Sequence, residues 1–168
     1  MGEVDTGFVI WYRSQKYNTP VTESLDNALK NYTDLLDKCC ANHQVICISA
    51  PLPTIADDND FGEVANQRKS IHATQRQRTD LTLEFNSRIR SFCRNKDANR
   101  PNLSFIDLDI DSLGPNGLVK PTLLNRNQLD HHYNNSEYAE ILSKKLLKKL
   151  VLGSSKLCFI SIKNIKTL

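Results

Sequence analysis

Long apolar runs are scarce in this chain. Near its start, Phe8-Val9-Ile10-Trp11-Tyr12 gives an apolar run of about five residues, and the first charge, Glu3, is acidic. A run that short predicts neither a secretory signal peptide nor a membrane span. The hydrophobic fraction, 39%, is somewhat low for a well-buried core. Charge of one sign is also lacking: 22 basic against 19 acidic residues leave +3. The basic residues are scattered and have no aromatic platform beside them, which argues against a nucleic-acid partner. Cysteine number and spacing fit no metal site: Cys39, Cys40, Cys47, Cys93 and Cys158 are odd in number. They read as reduced thiols of a cytoplasmic-type compartment, with one of the adjacent Cys39-Cys40 pair buried. Asp57-Asp58-Asn59-Asp60 lacks the alternating ligands and closing Glu of a calcium loop. No metal or organic cofactor is expected, and the oligomeric state stays open.

What is present reads as one α/β domain of 168 residues. Thr19 can cap a helix with Pro20 at its first position. Val21, Leu25, Ala28, Leu29, Tyr32, Leu35, Leu36 and Cys39 repeat at three and four, which predicts a helix to about Cys40. Val45 to Ala50 is apolar on both faces and reads as a central parallel strand ending at Pro51. The loop from Pro51 to about Asn66 would then line a crevice at the strand's carboxyl end. Ala65 to Arg94 predicts a long helix, broken near Thr79. Its Arg68, Lys69, Arg76, Arg78, Arg88, Arg90 and Arg94 fit either an anion site or a solvated face with internal ion pairs. Leu103 to Leu108 predicts the next strand, and Gly114 to Gly117 a turn. Leu118 to Asn127 reads as a loop. The last helix is capped by Asn134 or Ser136, with Asn134 and Glu137 as a possible capping box. Tyr138, Ile141, Leu142, Leu146 and Leu150 form its inward face. Lys144, Lys145, Lys148 and Lys149 complement its dipole.

Two segments carry chemistry. Asp130-His131-His132-Tyr133 sets a carboxylate almost beside an imidazole, the arrangement of an oriented general base. The competing reading is a polar turn ahead of the last helix. Gly2-Glu3-Val4-Asp5 can turn a backbone N–H and a side chain toward a developing oxyanion, and is otherwise a plain turn.

Together the two segments resemble the SGNH (GDSL-like) hydrolase superfamily. Gly2-Glu3-Val4-Asp5 looks like its third block, usually Gly-x-Asn-Asp, and more like a variant branch with Gly-Glu-Ile-Asp-Cys-Arg. Asp130 and His132 resemble the last block, and Tyr138 stands six residues after the His, as in the family's His-Leu-Asn…Gly-Tyr run. That spacing favours His132 over His131 as base. The resemblance covers about residues 1–150. It implies an esterase or acyl hydrolase, acting on small-molecule or glycan esters, with His132 as base, Asp130 as its orienting carboxylate, and Gly2 and Asp5 at the oxyanion. It further implies the C-terminal two-thirds of a flavodoxin-like three-layer α/β/α sandwich with a parallel sheet.

Three departures stand out. The Gly-Asp-Ser turn that carries the nucleophile is absent, and so is the second-block Gly. Asp130 is two residues before His132 instead of three, and Thr6-Gly7 replaces Cys-Arg. The expectation is a truncated hydrolase domain over 1–152, inactive and poorly stable alone, followed by an atypical tail over 153–168. The alternative, from another class, is a non-catalytic interaction protein derived from the same fold.

Overall fold

The computed structural model describes residues 4–58, 63–95, 100–127 and 129–153. The protein is mixed α/β, mostly helical, with a two-stranded parallel sheet among the described residues. The Cys158 thiol and the tail beyond Gly153 lie outside the described residues.

A π-helical turn, Asp5–Val9, runs straight into α1, Ile10–Tyr17. Asn18 stops α1 in the left-handed conformation, φ 50°, which Asn tolerates better than most side chains. Helix α2, Val21–Cys40, starts one residue later than its sequence predicts. Pro20 takes the cap position with ψ 140°, and no side chain caps the end. Leu25, Leu29, Leu36 and Cys40 are its buried residues; Leu35 is 39% exposed, and Cys40 rather than Cys39 faces the core. The described cysteines carry free thiols.

Strand β1, Val45–Ile48, pairs in parallel with β2, Leu103–Ile106, in the register Val45 to Leu103 through Ile48 to Ile106. Both strands end two residues before the apolar runs do, because side chains take over the backbone. Ser49 Oγ accepts from Leu108 N–H at 2.9 Å, and Asp107 Oδ1 accepts from Asp109 N–H at 3.1 Å, turning the chain into the short α5, Asp109–Ser112. Of β1, only Cys47 is fully buried; Val45, Ile46 and Ile48 are half-buried. Val45 and Cys47 join the main core of α2, α4 and the sheet.

The expected long helix is two helices. Helix α3, Glu63–Arg68, and α4, Gln75–Arg94, flank residues 69–74. A complete capping box starts α4: Thr74 Oγ1 accepts from Gln77 N–H, and the Gln77 side chain accepts from Thr74 N–H. Two orphan donors are satisfied reciprocally, so the helix begins there. Thr79, where a break was expected, is buried inside α4 and donates to Gln75 C=O at 2.8 Å.

The Gly114–Gly117 turn forms as its residues predict, Gly117 N–H donating to Gly114 C=O at 2.9 Å. The loop after it contains a 3-10 turn, Pro121–Leu123. Helix α6, Asn135–Gly153, packs on β2 and the 3-10 turn. Asn134 Oδ1 caps it, accepting from Ser136 N–H at 3.1 Å and Glu137 N–H at 3.3 Å. Tyr138, Ile141, Leu142 and Leu146 are half-buried, whereas Leu150, expected inward, is 50% exposed. No helix among the described residues is long and apolar enough to cross a membrane.

Candidate functional site

The segment between the 3-10 turn and α6 is fastened on both sides. Leu124 and Tyr133 form an isolated antiparallel bridge, and Asn134 N–H donates to Leu123 C=O at 2.9 Å. Across the cleft it meets the loop after β1. The Tyr133 hydroxyl, buried, accepts from Leu52 N–H at 2.7 Å, and Thr54 Oγ1 donates to His131 C=O. The Tyr133 ring meets Tyr138 edge-on, 5.5 Å between centroids. A strand-end loop and a pre-helix loop are thereby locked face to face.

On that support Asp130 and His132 come together. Asp130 Oδ1 lies 2.7 Å from His132 Nδ1 and accepts from His132 N–H at 2.9 Å. Its other oxygen, Oδ2, accepts from Asn125 Nδ2 at 2.8 Å. The bonds from His132, the backbone N–H first and the ring second, hold the Asp130 carboxyl below its ordinary value of 3.8. A carboxylate at Nδ1 keeps that nitrogen protonated and leaves the lone pair on Nε2, the basic tautomer. The two-residue spacing works because Asp130 Oδ1 reaches forward to both the backbone and the ring of His132.

The imidazole is 64% exposed. With Pro51, Tyr133, Asn135 and Tyr138 it lines a hollow of about 240 Å³. His131 points its ring against that of His132, 4.1 Å between centroids. Asp130, His131 and His132 also bring one ligand atom each within 4.8 Å of one another.

Of the other sequence-predicted site residues, Gly2 lies outside the described residues. Asp5 opens the π-helical turn, which packs on α1 and α4. That turn is held by Thr6 Oγ1 at 2.8 Å from Thr82 Oγ1 and by Trp11 Nε1 donating to Thr6 C=O at 2.8 Å. Gly7 C=O accepts from Arg68 Nη1 at 3.2 Å, and a Cβ on Gly7 would stand 2.8 Å from that nitrogen, so a side chain there would displace the guanidinium. Asp130–His132 is thus one assembled pair, and Asp5 belongs to a turn anchored on α4.

The arginine series divides. Arg76 donates to the carbonyls of Gly117 and Asn116, Arg88 pairs with Asp26 and Glu84, and Arg90 pairs with Asp107 and Asp109. Arg68 and Arg78 are buried, contrary to a wholly solvated face. Asn125, which orients Asp130, and Asn86, which secures Ala50, carried no recognisable signal in the sequence. No protein-family model matches the chain, and comparison with curated proteins and with solved structures finds no match either.

Proposed function

We propose that this chain carries the acid–base half of a serine ester hydrolase of the SGNH type. The observation that supports it is the double hydrogen bond from Asp130 Oδ1 to the ring and backbone of His132, 2.7 and 2.9 Å. In this reading His132 Nε2 takes the proton of an attacking serine hydroxyl and later gives it to the leaving alkoxide. Asp130 fixes the tautomer and stabilises the imidazolium. Asn125 is a positioning residue for Asp130. The same reading assigns Gly2 and Asp5 to the oxyanion. The substrate is a small-molecule or glycan ester bound over the Pro51–Tyr138 hollow. The full fold of this reading is the flavodoxin-like sandwich, with further strands added to the described pair.

The serine is assigned to a strand–Gly-Asp-Ser segment that this chain does not contain. The test is hydrolysis of p-nitrophenyl acetate by the chain alone and by the chain joined to such a segment. Turnover in either form that is lost on His132→Ala upholds the base. Turnover indifferent to His132→Ala, or no turnover in both forms, overturns the reading.

A second reading, a binding module, draws on the sheet: among the described residues it has two strands, so β1 and β2 each have one strand neighbour. A bare parallel edge accepts another strand. A folded, monodisperse chain that is catalytically silent in both forms favours this reading.

A further inference from the structure

Asp130, His131 and His132 are consecutive, yet their side chains converge. Each offers a ligand atom, and the three atoms lie within 4.8 Å of one another. Neighbouring residues of an extended chain point to opposite sides. Here the chain bends at His132, and the two rings meet, 4.1 Å between centroids. Asp130 reaches the same spot by folding forward onto His132, Oδ1 to Nδ1 at 2.7 Å.

The trio is held from outside. Asn125 Nδ2 donates to Asp130 Oδ2 at 2.8 Å. Thr54 Oγ1 donates to His131 C=O, and the Tyr133 hydroxyl fastens the next residue to Leu52 N–H at 2.7 Å. Outer hydrogen bonds of this kind aim ligating side chains and strengthen a metal site. The His132 side chain is 64% exposed, so an ion has an open path and the ring has room to turn. A tetrahedral ion with bonds of about 2.0–2.2 Å sets its ligands roughly 3.3 Å apart. Small side-chain rotations therefore close the trio around it.

We infer that Asp130, His131 and His132 bind a divalent transition-metal ion, of which zinc is the representative. Two imidazoles and a carboxylate are a donor set for such ions, whereas magnesium and calcium take oxygen ligands. Three protein ligands leave the fourth tetrahedral position to water. The ion displaces protons and hydrogen bonds that these side chains already make, so none of the three has to be idle beforehand. Metal capture needs neither a serine nor an ester and stands apart from the hydrolase reading. On that reading the ion and the serine proton compete for one imidazole, which makes the ion an inhibitor rather than a cofactor.

The test is calorimetric titration of the full chain with zinc chloride and with magnesium chloride, the thiols kept reduced by a phosphine. A saturable zinc site is expected, weaker by about tenfold or more in His131→Ala and in Asp130→Asn, with no comparable magnesium binding. Circular dichroism checks that each variant is folded; if one is not, the other decides. The free thiols of Cys39, Cys40, Cys47 and Cys93 also attract zinc, but neither substitution touches them. Zinc affinity unchanged in either folded variant assigns the ion to other ligands and overturns the proposal. So does magnesium binding as tightly as zinc, or the absence of saturable zinc binding. No ester is present in the titration, so its failure leaves the hydrolase reading to its own test.

Discussion

Asn86 grips Ala50 by both backbone groups: its Oδ1 accepts from Ala50 N–H at 2.7 Å, and its Nδ2 donates to Ala50 C=O at 3.0 Å. The same Nδ2 reaches Asp109 Oδ1 at 2.7 Å. One buried amide on α4 thus does what a third strand residue would do at the end of β1, and it also ties down the start of α5. Because the loop that follows begins at Pro51, which lines the hollow beside His132, this grip helps set the geometry of that rim.

Asn86→Ala should therefore cost roughly 2–4 kcal/mol, because it removes three hydrogen bonds and leaves Ala50 N–H and C=O buried without the amide. Urea unfolding followed by circular dichroism measures it. A loss within about 0.5 kcal/mol, the range of an ordinary surface substitution, would show that water replaces the amide at no cost.

Tyr133→Phe tests the other clasp. It leaves Leu52 N–H without the hydroxyl that accepts from it, and should cost roughly 1–3 kcal/mol. The ring contact with Tyr138 is retained in the variant, so the loss reports the hydroxyl alone. An unchanged urea midpoint would contradict the assignment of Tyr133 as the link between the two loops.

The fold was legible where the pattern was local. The three-and-four spacing of Leu25, Leu29 and Leu36 gave α2, the continuous apolar runs gave β1 and β2, and Asn134 gave the start of α6. It failed where polar side chains face inward. Arg78, Thr79, Thr82 and Asn86 sit on the buried side of α4, so counting polar residues as outward misassigned that face. Arg78 and Asn86 find their partners distant in sequence, at carbonyls of the loop after β1 and at Asp109, while Thr79 and Thr82 donate to carbonyls of α4 itself. The break at residues 69–74 follows from the Thr74–Gln77 pair, a signal present in the sequence but overshadowed by the apolar spacing around it. At the site, Asp130 and His132 were legible because two-residue proximity is local. Asn125 and Tyr133 were not: Asn125 meets Asp130 only once the loop folds back over five residues, and the Tyr133 partner, Leu52, is distant in sequence.

Asp109 should give stability a measurable pH dependence. Burial first, and then Asp107, raise its carboxyl above the ordinary value of 3.8, against the opposing bonds from Asn86 and Arg90. An acid with a raised folded pKa takes up a proton more readily folded than unfolded. Its contribution is therefore fully present below about 3.8 and is lost as pH rises through the folded pKa. Stability measured from pH 3 upward should carry this downward component, and Asp109→Asn should remove it. Identical pH profiles for the two proteins would contradict the stated cause.

Asp130 behaves oppositely: its pKa is lowered, so its contribution is present above 3.8 and is lost as pH falls through the folded pKa. The leading cause is the His132 backbone N–H, which His132→Ala retains. Carbon-13 titration of the Asp130 carboxyl should show its pKa rising in that variant yet staying below 3.8. A full return to 3.8 would assign the effect to the ring instead.

The most direct test of the central claim, that His132 is the base and Asp130 its orienting carboxylate, compares ester turnover in three variants of the chain joined to a Gly-Asp-Ser segment. His132→Ala and Asp130→Asn should each lower the rate on the order of a hundredfold or more, while His131→Ala should leave it nearly intact. Equal losses for His131→Ala and His132→Ala, or none for Asp130→Asn, would contradict the claim.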